Sequence, residues 1–198
     1  MARALKVELV RRGSKAQVSW MRGTHTFASL LARMMARFPS LAGGDNPYYH
    51  ITIPRGLLPV WQFVEFVSML PLLLVRFLFP SVLGTFVIAE RYIPDFIVWV
   101  TLTTNDPAYP RSFGAKFLLS LLRRTRIKVY ITAEYAELLN RRNDVDPSFL
   151  RRQLDLYEKL ARYMGASRVD TTWTNVGESA QALIDLMDRD LARKGRCL

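Results

Sequence analysis

Positions 84–92 read GTFVIAERY, and the fold turns on them. Thr85 to Ala89 is an unbroken apolar run, opened by a glycine and closed by a charged pair. A strand with one wet face alternates apolar and polar residues, whereas a parallel strand covered on both faces is apolar throughout. The run therefore predicts a strand buried on both faces. Glu90, Arg91 and Tyr92 fall at its carboxyl end, where open α/β sheets gather their working groups.

Outward from this stretch the same signals alternate. IKVYIT (127–132) predicts a second buried strand. KAQVSW (15–20), with Ala16, Val18 and Trp20 on one face, and SRVDT (167–171) predict two shorter ones. Helical spacing predicts helices over 1–12, 27–38, 59–79, 94–102, 113–122, 133–140, 148–164 and 177–192. In the first, Leu5 and Leu9 share a face and Gly13 supplies the stop. Its start carries no Ser, Thr, Asp or Asn cap, since the pattern already runs at Met1. Residues 39–55, rich in Gly, Pro and Asn, read as a loop excursion with a brief strand at 50–53. Strands alternating with helices imply α/β architecture, a three-layer parallel sheet with helices on both faces, in one domain spanning 1–198. The carboxyl ends of its strands then select Arg22, residues 90–92, residues 134–142 and residues 171–177.

Composition narrows the function classes. The chain has 198 residues, half of them hydrophobic, with a formal charge of +11. That surplus favours anionic partners: nucleotides, nucleic acid or a membrane surface. Of 28 basic residues six are lysines and the rest arginines. The planar fork of arginine grips phosphate at two points, although genome composition or thermal adaptation yields the same bias. One cysteine, Cys197, excludes a disulfide framework and points to a reducing cytoplasm. Two histidines, His25 and His50, exclude a histidine-rich metal site. Residues 57–89 are the most apolar part. Gln62, Glu65 and Arg76 interrupt the run, and Pro59, Pro71, Pro80 and Gly84 divide it. It reads as a buried helix followed by a buried strand, in preference to a membrane span.

Several stretches together resemble the thymidylate kinase family of P-loop nucleoside monophosphate kinases. GTFVIAERY is similar to its strand and acid-Arg-aromatic signature. IKVYITAEYAELLNRRND resembles the next strand, helix and arginine-bearing lid. LDLYEKLARYMGASRVDTTWTNVGESAQALIDLM is similar to the closing helix, strand and helix. ELVRRGSKAQVSWMRGTHT resembles the end of the P-loop helix, the second strand and an arginine loop. The family's opening strand and its G-x-x-x-x-G-K-[ST] loop, which cradles donor phosphates, are not in the sequence. In that family the opening strand lies in mid-sheet, between the strands matching TFVIA and IKVYIT. The resemblance thus implies a P-loop kinase fold with its first central strand missing, and a Met1 internal to a longer protein.

What the resemblance implies for function is transfer of the γ-phosphoryl of ATP, with Mg2+, to a nucleoside monophosphate, thymidylate being the first guess. The chain as written is then inactive. The first alternative is a non-catalytic nucleotide- or nucleic-acid-binding relative, and the second is a membrane-associated protein built around Leu57–Ala89. Arg91 would bridge the phosphates, unless it is a surface arginine paired with Glu90. Glu90 stands where the family has an aspartate that helps place magnesium. Arg22, with His25 beside it, would receive the acceptor phosphate, and Tyr92 would stack on the acceptor. Asp95, Trp99 and Val100 occupy base-recognition positions, and Val100 cannot make an amide's hydrogen bonds. Arg141 and Arg142 match the lid and donor-phosphate site, while Arg151 and Arg152 read as a charged helix face. The expected partner is a small nucleotide in the cytoplasm, compatible with a homodimer, with neither nucleic acid nor a membrane expected.

Overall fold

A computed structural model describes residues 1–21, 26–39, 41–43, 51–123, 125–141 and 145–195. In chain order the elements are α1 (Ala2–Arg11), β1 (Ala16–Trp20), α2 (Phe27–Met35), α3 (Leu58–Leu73), α4 (Phe79–Val82), β2 (Phe86–Arg91), α5 (Ile93–Thr103), α6 (Phe113–Leu122), β3 (Val129–Thr132), α7 (Tyr135–Arg141), α8 (Pro147–Met164), β4 (Ser167–Asp170) and α9 (Val176–Gly195). The architecture is α/β, as the alternation implies. An isolated bridge joins Ala42 and Ile51 within the 39–55 excursion.

The strands form two sheets of two. β1 pairs with β2; the Phe86 N–H donates to the Lys15 carbonyl at 2.8 Å and the Met21 N–H to the Arg91 carbonyl at 3.1 Å, so the pair runs parallel. β3 pairs parallel with β4 in the register Val129↔Ser167 to Thr132↔Asp170. The expectation of strands buried on both faces is overturned. In β2, Phe86, Ala89, Glu90 and Arg91 are exposed, and in β3 only Thr132 is buried. A two-stranded ribbon gives helices too little surface to cover both its sides. In β1 the buried position is Ser19, while Trp20 is exposed, so the predicted face is the wetter one.

Contacts gather the chain into two compact units. The first comprises Met1–Val18, Gly84–Ile88 and Arg123–Leu198, and the second Ser19–Leu83 and Ala89–Leu122.

In the first unit, charge on the outside accompanies a narrow apolar inside. The guanidinium of Arg12 donates to the carboxylates of Glu8 and Asp188, tying α1 to α9. α8 begins at Asp146, whose carboxylate accepts the Phe149 N–H at 2.9 Å. It ends at Gly165 with φ 61, a left-handed cap that any Cβ would strain. Leu160, Ala161, Leu183 and Met187 are among the buried residues here.

The second unit is built on apolar helices. α5 is apolar on nearly every side, so it is enclosed: Ile93, Phe96, Ile97, Val98 and Val100 are all buried. α2 is started by a reciprocal cap, in which Thr26 Oγ1 accepts from the Ser29 N–H and Ser29 Oγ from the Thr26 N–H, each at 3.2 Å. Against it lies α3, with the Ala28 N–H donating to Ser68 Oγ at 3.0 Å. α6 approaches α3 closely at Gly114, where an added Cβ would stand 3.2 Å from the Phe66 ring. Between Pro71 and Pro80 the helix widens into a π turn, Leu74–Leu78, before continuing as α4. Prolines withhold the N–H of an ordinary turn, and the wider turn is a way through.

Candidate functional site

β2 hands its chain to α5 at Tyr92. Pro94 fits the first turn of that helix, where no N–H is needed. The Asp95 carboxylate accepts the Tyr92 N–H at 3.1 Å and fixes the corner. Asp95, expected near a substrate base, therefore has a capping role. The Tyr92 ring lies 4.7 Å from that of Phe77, and burial pushes its hydroxyl pKa up.

Glu90 and Arg91 stand exposed at this end of the strand. Arg91 forms no ion pair with Glu90 or with any other carboxylate among the described residues. Its backbone carbonyl holds Met21, the residue after Trp20. At Trp20 the structure adds a cation that sequence reasoning treated only as a break in an apolar run. The Arg76 guanidinium donates to the Trp20 carbonyl at 3.3 Å and sits 5.6 Å above the indole ring. The carboxyl end of the β1–β2 ribbon thus carries two arginines, one acid and two aromatic rings. That composition suits an anionic, ring-bearing ligand. The signal in the sequence was an arginine inside an otherwise apolar helix.

Trp99 and Val100 point elsewhere. Trp99 packs against the buried group of Ala32, Ile51 and Trp61, and Val100 is fully buried. Arg22, His25 and Arg142 lie outside the described residues.

In the first unit, residues following β3 and β4 come together as the carboxyl-end rule requires. The Thr171 N–H and Oγ1 both donate to the Thr132 carbonyl, at 2.8 and 3.0 Å. The Glu134 N–H donates to Thr172 Oγ1 at 2.8 Å. Arg141 reaches the Thr171 carbonyl at 3.3 Å while its Nε bonds Glu137 at 2.8 Å. The hydroxyl and N–H of Thr172 hold the Asp170 pKa below its ordinary value. Arg151 lies over the Tyr135 ring and Arg152 over that of Phe149, so these two shield aromatic faces.

Glu65 on α3, which in the sequence is only a charge interrupting an apolar run, is fully buried. Burial, and then the charge of Glu65, push the pKa of Tyr109 upward. Among the described residues no three of His, Cys, Asp and Glu come together. Glu90 is a lone exposed carboxylate, and a magnesium ion held by so few protein ligands depends on nucleotide phosphates for the rest. Without a glycine-rich loop to hold those phosphates, the residues present do not make an ATP–Mg2+ site by themselves.

No protein-family model matches the chain, and no curated protein sequence matches it.

Proposed function

We propose that the chain is the larger part of a phosphotransferase domain of the thymidylate kinase type, acting on a nucleoside monophosphate or a similar small phosphate-bearing acceptor. The observation that carries the reading is the division of the strands. β1 pairs with β2 and β3 with β4, and among the described residues no strand joins β2 to β3. A P-loop kinase sheet has its phosphate-loop strand between the counterparts of these two. The reading therefore requires that strand and its G-x-x-x-x-G-K-[ST] loop, a motif that the 198 residues do not contain.

The reading gives roles to this chain's own residues. Arg91, exposed and in no ion pair among the described residues, is available to a phosphate and would offset charge that develops during transfer. Tyr92, half-buried with its ring braced on Phe77, offers a positioned face for a base. Trp99 and Val100 serve packing, so thymine recognition is not assigned to them.

The test supplies the reading frame upstream of Met1, expresses the extended protein and measures ATP consumption against a panel of nucleoside monophosphates. Turnover on one acceptor is expected, with Arg91→Ala lowering kcat by about a hundredfold or more. A stop codon directly upstream of Met1, or no turnover on any acceptor, overturns the reading. Nucleotide binding without turnover would favour the second reading, a non-catalytic relative, which the missing phosphate loop and the +11 charge support.

A further inference from the structure

From Arg55 to Val82 the chain is one run of helix, 28 residues long, or about 42 Å at the usual rise. Its most apolar stretch is only 22% buried. The inward row is Trp61, Glu65, Met69, Leu73 and Phe77, every fourth residue. The outward row of Val60, Phe63, Val67, Leu74, Val75 and Phe79 is between 44% and 68% exposed. α6 extends this surface with Phe113, 85% exposed, and Phe117. Between the two helices lies an open apolar groove of about 370 Å³, lined by Phe66, Leu70, Leu74, Leu78, Phe113 and Phe117 among others. A continuous apolar area of this kind marks a place where something other than water belongs.

The charges say what. Glu65 is the one carboxylate between residues 55 and 82, and it is wholly buried. The outward side therefore bears no negative charge. Its ions are Arg55 and Arg76, both exposed, and α6 contributes exposed Lys116 with no acid at all. Asp106, half-buried, accepts from Gln62 of α3 at 2.6 Å; apolar rows whose own exposed ions are all cations are the pattern of helices that lie in the surface of an anionic bilayer. A second copy of the chain fits less well, because each copy carries a net charge of +11 and the two would repel. A core helix would be enclosed, and most of this one's apolar stretch is not.

We infer that the face formed by α3, α4 and α6 docks on an anionic lipid bilayer. The helix lies along the membrane and does not cross it. Its inward row is buried in protein, and beside that row Ser68 bonds α2 and Phe66 lies against Gly114 of α6. Crossing would also bring Glu65 into hydrocarbon. In the docked arrangement the phenylalanines and valines enter the boundary between headgroups and acyl chains, while Arg55 and Lys116 meet lipid phosphates. Phe77, on the same helix, touches Tyr92, so docking holds the candidate site close to the membrane surface.

The experiment is flotation of the full chain with vesicles of phosphatidylcholine alone or mixed with phosphatidylglycerol, at low and high salt. Binding to the mixed vesicles is expected, weakened but not abolished by high salt, and little binding to phosphatidylcholine. The triple variant Phe63→Ser, Phe79→Ser, Phe113→Ser should bind the mixed vesicles about tenfold or more less tightly, since each ring removed takes apolar area out of the contact. Circular dichroism checks that it folds. Val75→Glu, which places a single carboxylate on the outward row, should weaken binding in the same direction and decides the matter if the triple variant is unfolded. Equal binding by folded variants, or complete release by salt, would reduce the attraction to net charge and overturn the inference. So would failure to float, whether the chain is then monomeric or forms a dimer that the same substitutions dissolve.

Discussion

Helix α8 and the helix of residues 55–82 solve one problem in opposite ways. Both bury one side, α8 through Phe149, Leu150, Leu160 and Ala161, the other through its row from Trp61 to Phe77. On its outer side α8 shows Arg151, Arg152, Asp155, Lys159 and Arg162 to water. The other shows Val60, Phe63, Val67 and Phe79. Inward packing is ordinary in each, and the surroundings each demands are not. An amphipathic helix states in its sequence which side is inside, whereas a helix apolar all round leaves that to its neighbours.

The contrast can be broken most forcefully from within the second unit. Ile97→Ala empties a site that is 0% exposed and should cost about 2–5 kcal/mol in urea unfolding. Phe63→Ser, at a residue 64% exposed, should change stability by no more than about 0.5 kcal/mol in the same measurement. If the two cost the same, the outward row is packed against protein and the contrast with α8 disappears. A smaller effect is expected at the end of α8. Gly165→Ala forces a Cβ into the left-handed region and should cost about 1–2 kcal/mol, read from the shift in the urea midpoint.

The smallest effect sharpens the charged half of the comparison. Hydrogen bonds from Arg11 and Arg12 hold the pKa of Glu8 down from 4.5 to about 2, and Arg12 holds that of Asp188 below its ordinary value. A carboxylate with a depressed pKa stabilises the fold above its unfolded value, and the contribution fades as protons return. The stability difference between the natural chain and Arg12→Ala should therefore be present above about pH 4.5 and shrink as the pH falls towards 2. A difference that persists undiminished at the acid end would show that the α1–α9 contact rests on packing instead.

Much of the element order was legible. The helices at 2–11, 113–122 and 147–164 fall almost where their periodicity places them, because each couples an apolar stripe to a clear stop or cap. Burial was legible only where pattern and environment agree. The run at 85–89 has the composition of an enclosed strand, but composition cannot count how many strands flank it. The candidate site divides in the same way. Glu90 and Arg91 followed from strand polarity alone. Arg76 and Glu65 did not, since in one dimension they are two charges interrupting an apolar run. In three dimensions one reaches Trp20 at a strand end and the other turns inward. Asp95 and Trp99 were found for reasons that their capping and packing roles do not share.

The π turn at Leu74–Leu78 bears on all of this. A partner helix laid along residues 58–82 would meet knobs at a steady interval, and the widened turn makes that interval skip. Every tooth beyond Leu78 would then face the wrong hole, much as a zip fails after one bad link. A fluid has no holes to miss. By spoiling its own register, this helix keeps company best with a neighbour that has none.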